Sequence, residues 1–363
     1  MKIIHCADLH LDSKMESNLD REAASMRRDE LLDTFERMVA YAVQQEVRVI
    51  IIAGDLFDKP NVRKVARNRV LDQIRNHPQI DFCYIRGNHD QCDFVDELSQ
   101  QESFPNLKLF GTDQWISYDY GDVVITGMEL VRENSQTFGV NLVLDQNRCN
   151  IVVLHGQESD YQGNDHAEIV NLAMLRNKYI DYLALGHIHS YKSDRLDERG
   201  VYCYSGCLEG RGFDECGPKG FVLLDIADGK IHTEFVPMAR RMLHEVTVEV
   251  TPGMDMPAVI EKTKQLVAEI SSDDLVKIVV VGVTDIDTDI DIKRLLRSLD
   301  HDFFYIKGYD RTTIEIDYEN FRNDKSLKGE FVRLMEQQDM PEDERAAIIE
   351  LGMKAIMGED VEV

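Results

Sequence analysis

Five clusters of carboxylate, imidazole and amide side chains punctuate the first half of this 363-residue chain: Asp8-x-His10, Gly54-Asp55-x-x-Asp58, Gly87-Asn88-His89-Asp90, His155-Gly156 and Gly186-His187-x-His189. Carboxylate oxygens are hard donors and imidazole nitrogens borderline ones, so the mixture suits a divalent first-row ion such as Mn²⁺. A site for two such ions also needs one group able to bridge them. Five of the eleven histidines fall in these clusters; His5, His77, His166, His232, His244 and His301 do not, and are expected to be surface or core residues.

Each cluster closes a short apolar run, over residues 2–10, 47–58, 81–90, 150–157 and 182–189. Runs rich in Val and Ile read as buried strands, and polar residues at their carboxyl ends fall on one edge of a sheet. One edge therefore gathers the chemistry. Between the first two runs, Leu31, Leu32, Phe35, Met38, Val39, Ala42 and Val43 recur at helical spacing and predict an amphipathic helix over 29–45. A second helical pattern covers 62–76, and strands are expected again around Tyr202 and over 221–226. After Arg241 the texture changes to a strand over 243–250, a helix over 256–270, a strand over 276–283, a helix over 290–299 and strands near Phe303 and Thr312. Residues 326–337 and 341–357 read as two further helices, the second opening with Pro341 and an acidic first turn, as helix starts favour. Domains are expected at 1–241 (α/β with extra β), 242–325 (small α+β) and 326–363 (C-terminal helices).

The net charge is −26, and residues 245–363 alone hold 14 Lys+Arg against 28 Asp+Glu, so neither half offers the positive footprint usual in nucleic-acid binders. Composition by itself argues against DNA. No apolar run approaches the length needed to cross a bilayer, and a first cluster beginning at Asp8 leaves no space for a cleavable signal, so no membrane association and a cytoplasmic location are expected. Seven cysteines, an odd number, fit a reducing compartment better than a disulfide framework. No G-x-x-x-x-G-K-[ST] occurs, which leaves any ATP hydrolysis to another chain.

In this order, D-x-H, GDxxD, GNHD, HG and GHxH over residues 8–189 resemble the full signature of calcineurin-like metallophosphoesterases. The resemblance implies a β-sandwich flanked by helices (α/β/β/α). It implies one metal held by Asp8, His10, Asp55 and His189 and a second by Asp55, Asn88, His155 and His187, with Asp55 as the bridge. Two cations roughly 3.5–4 Å apart acidify water, neutralise phosphate oxygens and hold the ester for in-line attack. A proton for the leaving alkoxide is still required, and His89, beside Asn88, is the candidate acid. Related phosphatases orient that histidine with the second Asp of GDxxD, here Asp58.

The opening IIHCADLHLDS, the AGDLFD segment and the stretch from Tyr204 through Glu215 are similar to SbcD-like DNA-repair exonucleases. By that resemblance the α+β domain is a cap, DNA is the substrate, two Mn²⁺ are the cofactor and the protein is a homodimer. The C-terminal helices, with Phe331, Leu334, Ile348, Ile349, Leu351, Met353, Ile356 and Met357 as apolar positions, would either pack on the cap or grip an SbcC-like ATPase. Arg211 is a candidate phosphate contact or a solvated loop cation; Arg63 and Lys64, with Arg67 and Arg69, form a phosphate-tracking patch or a solvated helix face. The rival enzyme reading is a phosphatase or phosphodiesterase for small or protein phosphoesters, favoured by the acidic charge. A scaffold with a purely structural metal site is the reading from another class.

Overall fold

The apolar runs form strands of two stacked sheets. In the first, β1 (Lys2–Cys6), β2 (Val49–Ala53), β3 (Asp81–Ile85) and β4 (Leu107–Leu109) run parallel, and β13 (Gly220–Ala227) and β14 (Lys230–Pro237) continue it antiparallel, in the order β14-β13-β1-β2-β3-β4. The second has the order β11-β12-β10-β7-β6-β5, with a parallel centre of β6 (Val123–Gly127), β7 (Cys149–His155), β10 (Tyr182–Gly186) and β12 (Val201–Tyr204). Its edges, β5 (Ile116–Tyr120) and β11 (Lys192–Arg195), are antiparallel. Short strands β8 (Gln157–Ser159) and β9 (Ile169–Asn171) pair separately. The computed structural model describes residues 1–15, 19–58, 62–90, 104–159, 169–285, 290–299, 302–315 and 324–357; His166 and His301 lie outside the described residues.

Burial on both faces explains the near-continuous apolar strands. Ile3, Val49, Ile51, Ile151, Val153, Tyr182, Ala184 and Val222 fill the space between the sheets. The far side of the second sheet buries Val152, Leu154, Leu183, Leu185, Tyr202 and Tyr204 against Phe138, Leu142, Leu172 and Leu175. Helices α1 (Arg21–Gln44) and α2 (Lys64–Asn76) belong to the first sheet's side, where the Tyr41 ring meets Phe221 of β13 edge-on at 5.3 Å. Helix α1 begins eight residues before the start expected from periodicity, capped by Asp20, whose carboxylate accepts from the Glu22 and Ala23 N–H groups. Its first turns bury charge, at Arg27 and Glu30, so apolar spacing could not reveal them.

The chain divides into two units, Met1–Leu243 and His244–Val363. In the second, β15 (Leu243–Val250), β16 (Leu275–Asp285) and β17 (Tyr305–Glu315) form a three-stranded sheet, with β16 and β17 parallel. Helices α3 (Met256–Val267) and α4 (Ile292–Arg297) contribute Val259, Val267 and Leu295 to its core. The two strands expected near Phe303 and Thr312 are one continuous strand, because β17 pairs with β16 through eleven residues. Helices α5 (Leu327–Glu336) and α6 (Glu342–Met357) share a cluster of their own, Val332, Ile349 and Met353 with Phe331, Met335 and Ile356. The Met357 side chain and residues 358–363 lie outside the described residues.

Candidate metal centre

Parallel β1 and β2 end side by side, and their pairing is prolonged by hydrogen bonds from Asp8 N to Gly54 O (3.1 Å), His10 N to Asp55 O (2.9 Å) and Leu11 N to Leu56 O (2.9 Å). Within this extension Asp8, His10 and Asp55 have φ of 51°, 42° and 53°, and His187 beyond β10 has φ 105°. Left-handed backbone at residues other than glycine costs of order 1–3 kcal/mol each and gathers where a site needs side chains aimed against the local preference. Three motif glycines let the layers close: a Cβ on Gly54 would lie 2.1 Å from His155 Nδ1, one on Gly87 2.2 Å from Asp55 Oδ1, and one on Gly186 1.9 Å from the Ala53 carbonyl oxygen.

The side chains so presented converge. Atoms of Asp8, His10 and His189 lie within 4.8 Å of one another, as do those of Asp8, Asp55 and His155, and those of His10, Asp58 and His89. Asp55 Oδ2 is 3.7 Å from His10 Nε2 and 3.5 Å from His155 Nε2. Its other oxygen accepts from the His89 N–H at 2.8 Å. Asn88 Oδ1 is 3.0 Å from His155 Nε2, and the His187 ring stands edge-on to His155 at 5.5 Å. The His187 N–H donates to both oxygens of Asp8, at 2.9 and 3.0 Å.

The outer nitrogens of the imidazoles reveal what the inner ones present. His10 Nδ1 is 2.8 Å from Asp58 Oδ1, His189 Nδ1 is 2.6 Å from Glu215 Oε1, and His155 Nδ1 is 2.9 Å from the Ala53 carbonyl. Those oxygens only accept, so in a neutral ring they favour the proton on each Nδ1 and the lone pair on each Nε2; at His189 the Arg211 Nη2 also stands 3.2 Å from Nδ1, farther than the Glu215 oxygen at 2.6 Å. The Nε2 atoms of His10 and His189 face each other at 3.2 Å, and that of His155 faces the Asp55 carboxylate. Lone pairs gathered around one point, each backed by a second hydrogen bond, are the donor set a divalent ion requires. The residues present therefore fit a metal centre.

Two carboxylates hold this arrangement. Burial opposes the charge on Asp58, but the bonds from His10 and His89 outweigh it and keep the carboxyl well below the usual range. Burial likewise opposes Glu215, which the His189 bond and the Arg211 guanidinium hold low. Asp58 Oδ1 also lies 3.1 Å from His89 Nδ1, and that bond, against partial burial, raises the pKa of His89. Asp58 thus touches both His10 and His89. The His89 side chain is 48% exposed, open to a ligand in a way the other imidazoles are not.

Arg211 lies at the site, 3.3 Å from Asp58 Oδ2 and 3.0 Å from Glu215 Oε1. Arg63 is held away from a free role by Asp12 and Asp29, its Nε 2.5 Å from Asp12 Oδ1 and its Nη2 2.8 Å from Asp29 Oδ1, while Lys64 is exposed at the start of α2. Arg69 is similarly paired with Glu36 and Asp33. Sequence reasoning assigned nothing to Glu215 or to Asp90, the buried carboxylate that accepts from the Gly87 and Phe57 N–H groups. Both lay inside stretches already singled out, but their type matches many surface acids, and only contact distinguishes them.

A family model described as calcineurin-like phosphoesterase matches residues 1–191. Among curated proteins, the uncharacterized metallophosphoesterase YhaO of Bacillus subtilis is 27% identical over 278 residues, covering 72% of this chain and 66% of that protein. The DNA double-strand break repair protein Mre11 of Sulfolobus acidocaldarius is 29% identical over 205 residues, covering 54% of this chain and 52% of that protein. The protein of the same name from Sulfurisphaera tokodaii is 27% identical over 245 residues, 62% of this chain and 60% of the relative. The chain thus spans between about half and two thirds of the length of these relatives.

Proposed function

This chain belongs to the calcineurin-like phosphoesterase family, and within that family we propose that it is a two-metal phosphodiester hydrolase acting on DNA, a nuclease of SbcD-like type working with Mn²⁺. The observation that carries the two-metal reading is the place of Asp55 Oδ2 between His10 Nε2 and His155 Nε2, where one carboxylate can serve both ions. Asp8, His10 and His189 would hold one ion with Asp55; Asn88, His155 and His187 would hold the other. When bound, such ions acidify water and offset the negative charge of the phosphoester. His89, exposed and hydrogen-bonded through Nδ1 to Asp58, has its protonated form favoured and its far nitrogen available as a donor to the leaving oxygen. Asp58 orients both His89 and His10. Arg211, with Nη1 on Asp58 and Nη2 on Glu215, is the candidate contact for a substrate phosphate.

DNA as substrate is supported by the relatives named for double-strand break repair. Residues 1–241 would be the catalytic domain, 242–325 the cap and 326–363 the helices that grip an SbcC-like ATPase, in a homodimer. A partner of that kind would supply the positive field that a chain of net charge −26 lacks. Among the described residues no helix is long and apolar enough to cross a membrane.

The rival, a phosphatase or small-substrate phosphodiesterase, is favoured by the same charge and by the pairing of Arg63 and Arg69 with acidic side chains. The deciding experiment assays the purified chain with Mn²⁺ on single- and double-stranded DNA beside aryl phosphate mono- and diesters. Cleavage of DNA together with the diester supports the nuclease. Turnover confined to the monoester overturns it.

A further inference from the structure

We infer that Glu215 is a positioning residue that locks His189 in its Nδ1–H tautomer, and that Arg211 and the buried Arg27–Glu209 pair hold Glu215 in place to do so. The consequence for metal binding rests on the reading of His189 as a ligand; the tautomer is a property of the chain alone.

Glu215 sits on the loop that follows β12, and its side chain is 6% exposed. One oxygen takes the His189 Nδ1–H at 2.6 Å and the Arg211 Nη2 at 3.0 Å, and the other takes the Arg211 backbone N–H at 2.7 Å and the Cys207 thiol at 3.8 Å. A free imidazole in water favours the opposite tautomer, so a fixed acceptor at Nδ1 is what turns the bare Nε2 toward His10. The same loop also grips the backbone of His189: the buried Lys219 ammonium and the Cys207 N–H both donate to its carbonyl, at 2.7 and 3.3 Å.

The loop is in turn tied to α1. Arg27, buried and on the first turns of that helix, donates to Glu209 Oε2 at 2.8 Å and to the Gly210 carbonyl at 2.7 Å, and Thr34 Oγ1 donates to Glu209 Oε1 at 2.7 Å. Glu30 completes Arg27 at 2.7 Å and receives Arg241 at 2.8 Å. Removing one partner from such a buried network leaves a charge uncompensated and is strongly destabilising. The chain of contacts therefore runs from α1 through Glu209 to the loop, then through Glu215 to one imidazole nitrogen.

Glu215→Gln keeps volume and an oxygen for the Arg211 N–H but removes the charge and offers an amide donor. Metal-free protein with ring-¹⁵N histidine, studied by NMR above the ordinary histidine range and assigned with His189→Gln, should show His189 as Nδ1–H in the wild type and shifted toward Nε2–H in Glu215→Gln. An unchanged His189 in that variant, or Nε2–H already in the wild type, overturns the inference. Titration with Mn²⁺ should show one of two sites weakened by roughly 10–100-fold and the other unchanged; unaltered affinity at both sites overturns it equally. Uptake of fewer than two Mn²⁺ by the wild type would defeat the two-metal reading instead, while the tautomer still decides the role of Glu215. If Glu215→Gln does not fold, Arg211→Gln keeps the Glu215–His189 bond without its clamp and should give a smaller shift in the same direction; a wild-type spectrum there removes the support for positioning.

Discussion

His89 differs from the other four imidazoles of the site in being half exposed; like His10, it has its Nδ1 turned to the Asp58 carboxylate that the two share. In the proposed role of proton donor His89 acts on the substrate, so His89→Ala should keep metal occupancy and lower the turnover rate by roughly 10²- to 10⁴-fold. Metal analysis of the variant beside its rate checks this, and an emptied site with unchanged activity per metal would make His89 a ligand. His5 makes a different prediction from a different environment. Fully buried between the sheets, with Nδ1 2.9 Å from the Tyr182 hydroxyl, it has its pKa pushed down to about 3, chiefly by burial. The unfolded chain therefore takes up a proton near the usual histidine value that the folded chain refuses. Its contribution is intact above that value and is lost as pH falls from about 6.5 toward 3. Between about pH 7.5 and 5 the metal-free protein should lose about 2 kcal/mol that His5→Phe does not lose, measured by urea unfolding at each pH. The clustered residues were legible because Asp, Asn and His at strand ends are rare enough to signal. Glu215 was not, since a carboxylate that holds a histidine has the same type as the acids of any solvated loop.

At the scale of elements, the site depends on sheets that approach closely at one edge. Gly186, last residue of β10, has no room for a side chain: an added methyl would meet the Ala53 carbonyl oxygen at 1.9 Å and His155 Nδ1 at 2.8 Å. Backbone cannot yield as a flexible side chain does, so Gly186→Ala should destabilise the fold by about 2–4 kcal/mol and loosen metal binding, checked by denaturant unfolding and Mn²⁺ titration. A fully stable, metal-competent variant would mean that β10 and β2 can separate without consequence. The strands of the site were readable from their Val- and Ile-rich runs because both faces are buried. Helix α1 was readable only in part: over Leu31 to Ala42 its buried positions are mostly apolar, but the turns before them bury Arg27 and Glu30, which pair with residues some two hundred positions away. Likewise β14, with its largely exposed pattern from Lys230 to Pro237, offers only a weak apolar signal, Ile231, Phe235 and Val236, and is held by pairing with β13.

For the whole molecule, the candidate metal centre lies within the unit Met1–Leu243, and α5 and α6 have their own small cluster while leaving Leu327, Leu334 and Leu351 exposed. Removal of residues 326–363 should leave Mn²⁺-dependent hydrolysis of a small diester within about twofold of the full chain, since none of the candidate metal ligands, Asp8 to His189, lies in that segment. The proposed ATPase partner should be lost from co-purification in the same variant, and its retention at full affinity would assign the helices to the cap alone. The change in texture after Arg241 lies close to the division at Leu243, whereas composition does not reveal a substrate, because net charge reports on the field of the whole surface and not on the few groups that meet a phosphate. The expectations for hydrolysis depend on two metal ions joined through one aspartate. A crystal structure of the Mn²⁺-soaked protein, with anomalous data to place the ions, tests that directly: the expected result is two ions at the ends of β1, β2, β3, β7 and β10 with Asp55 bound to both, and a single ion, or two ions with Asp55 bound to neither, would contradict it.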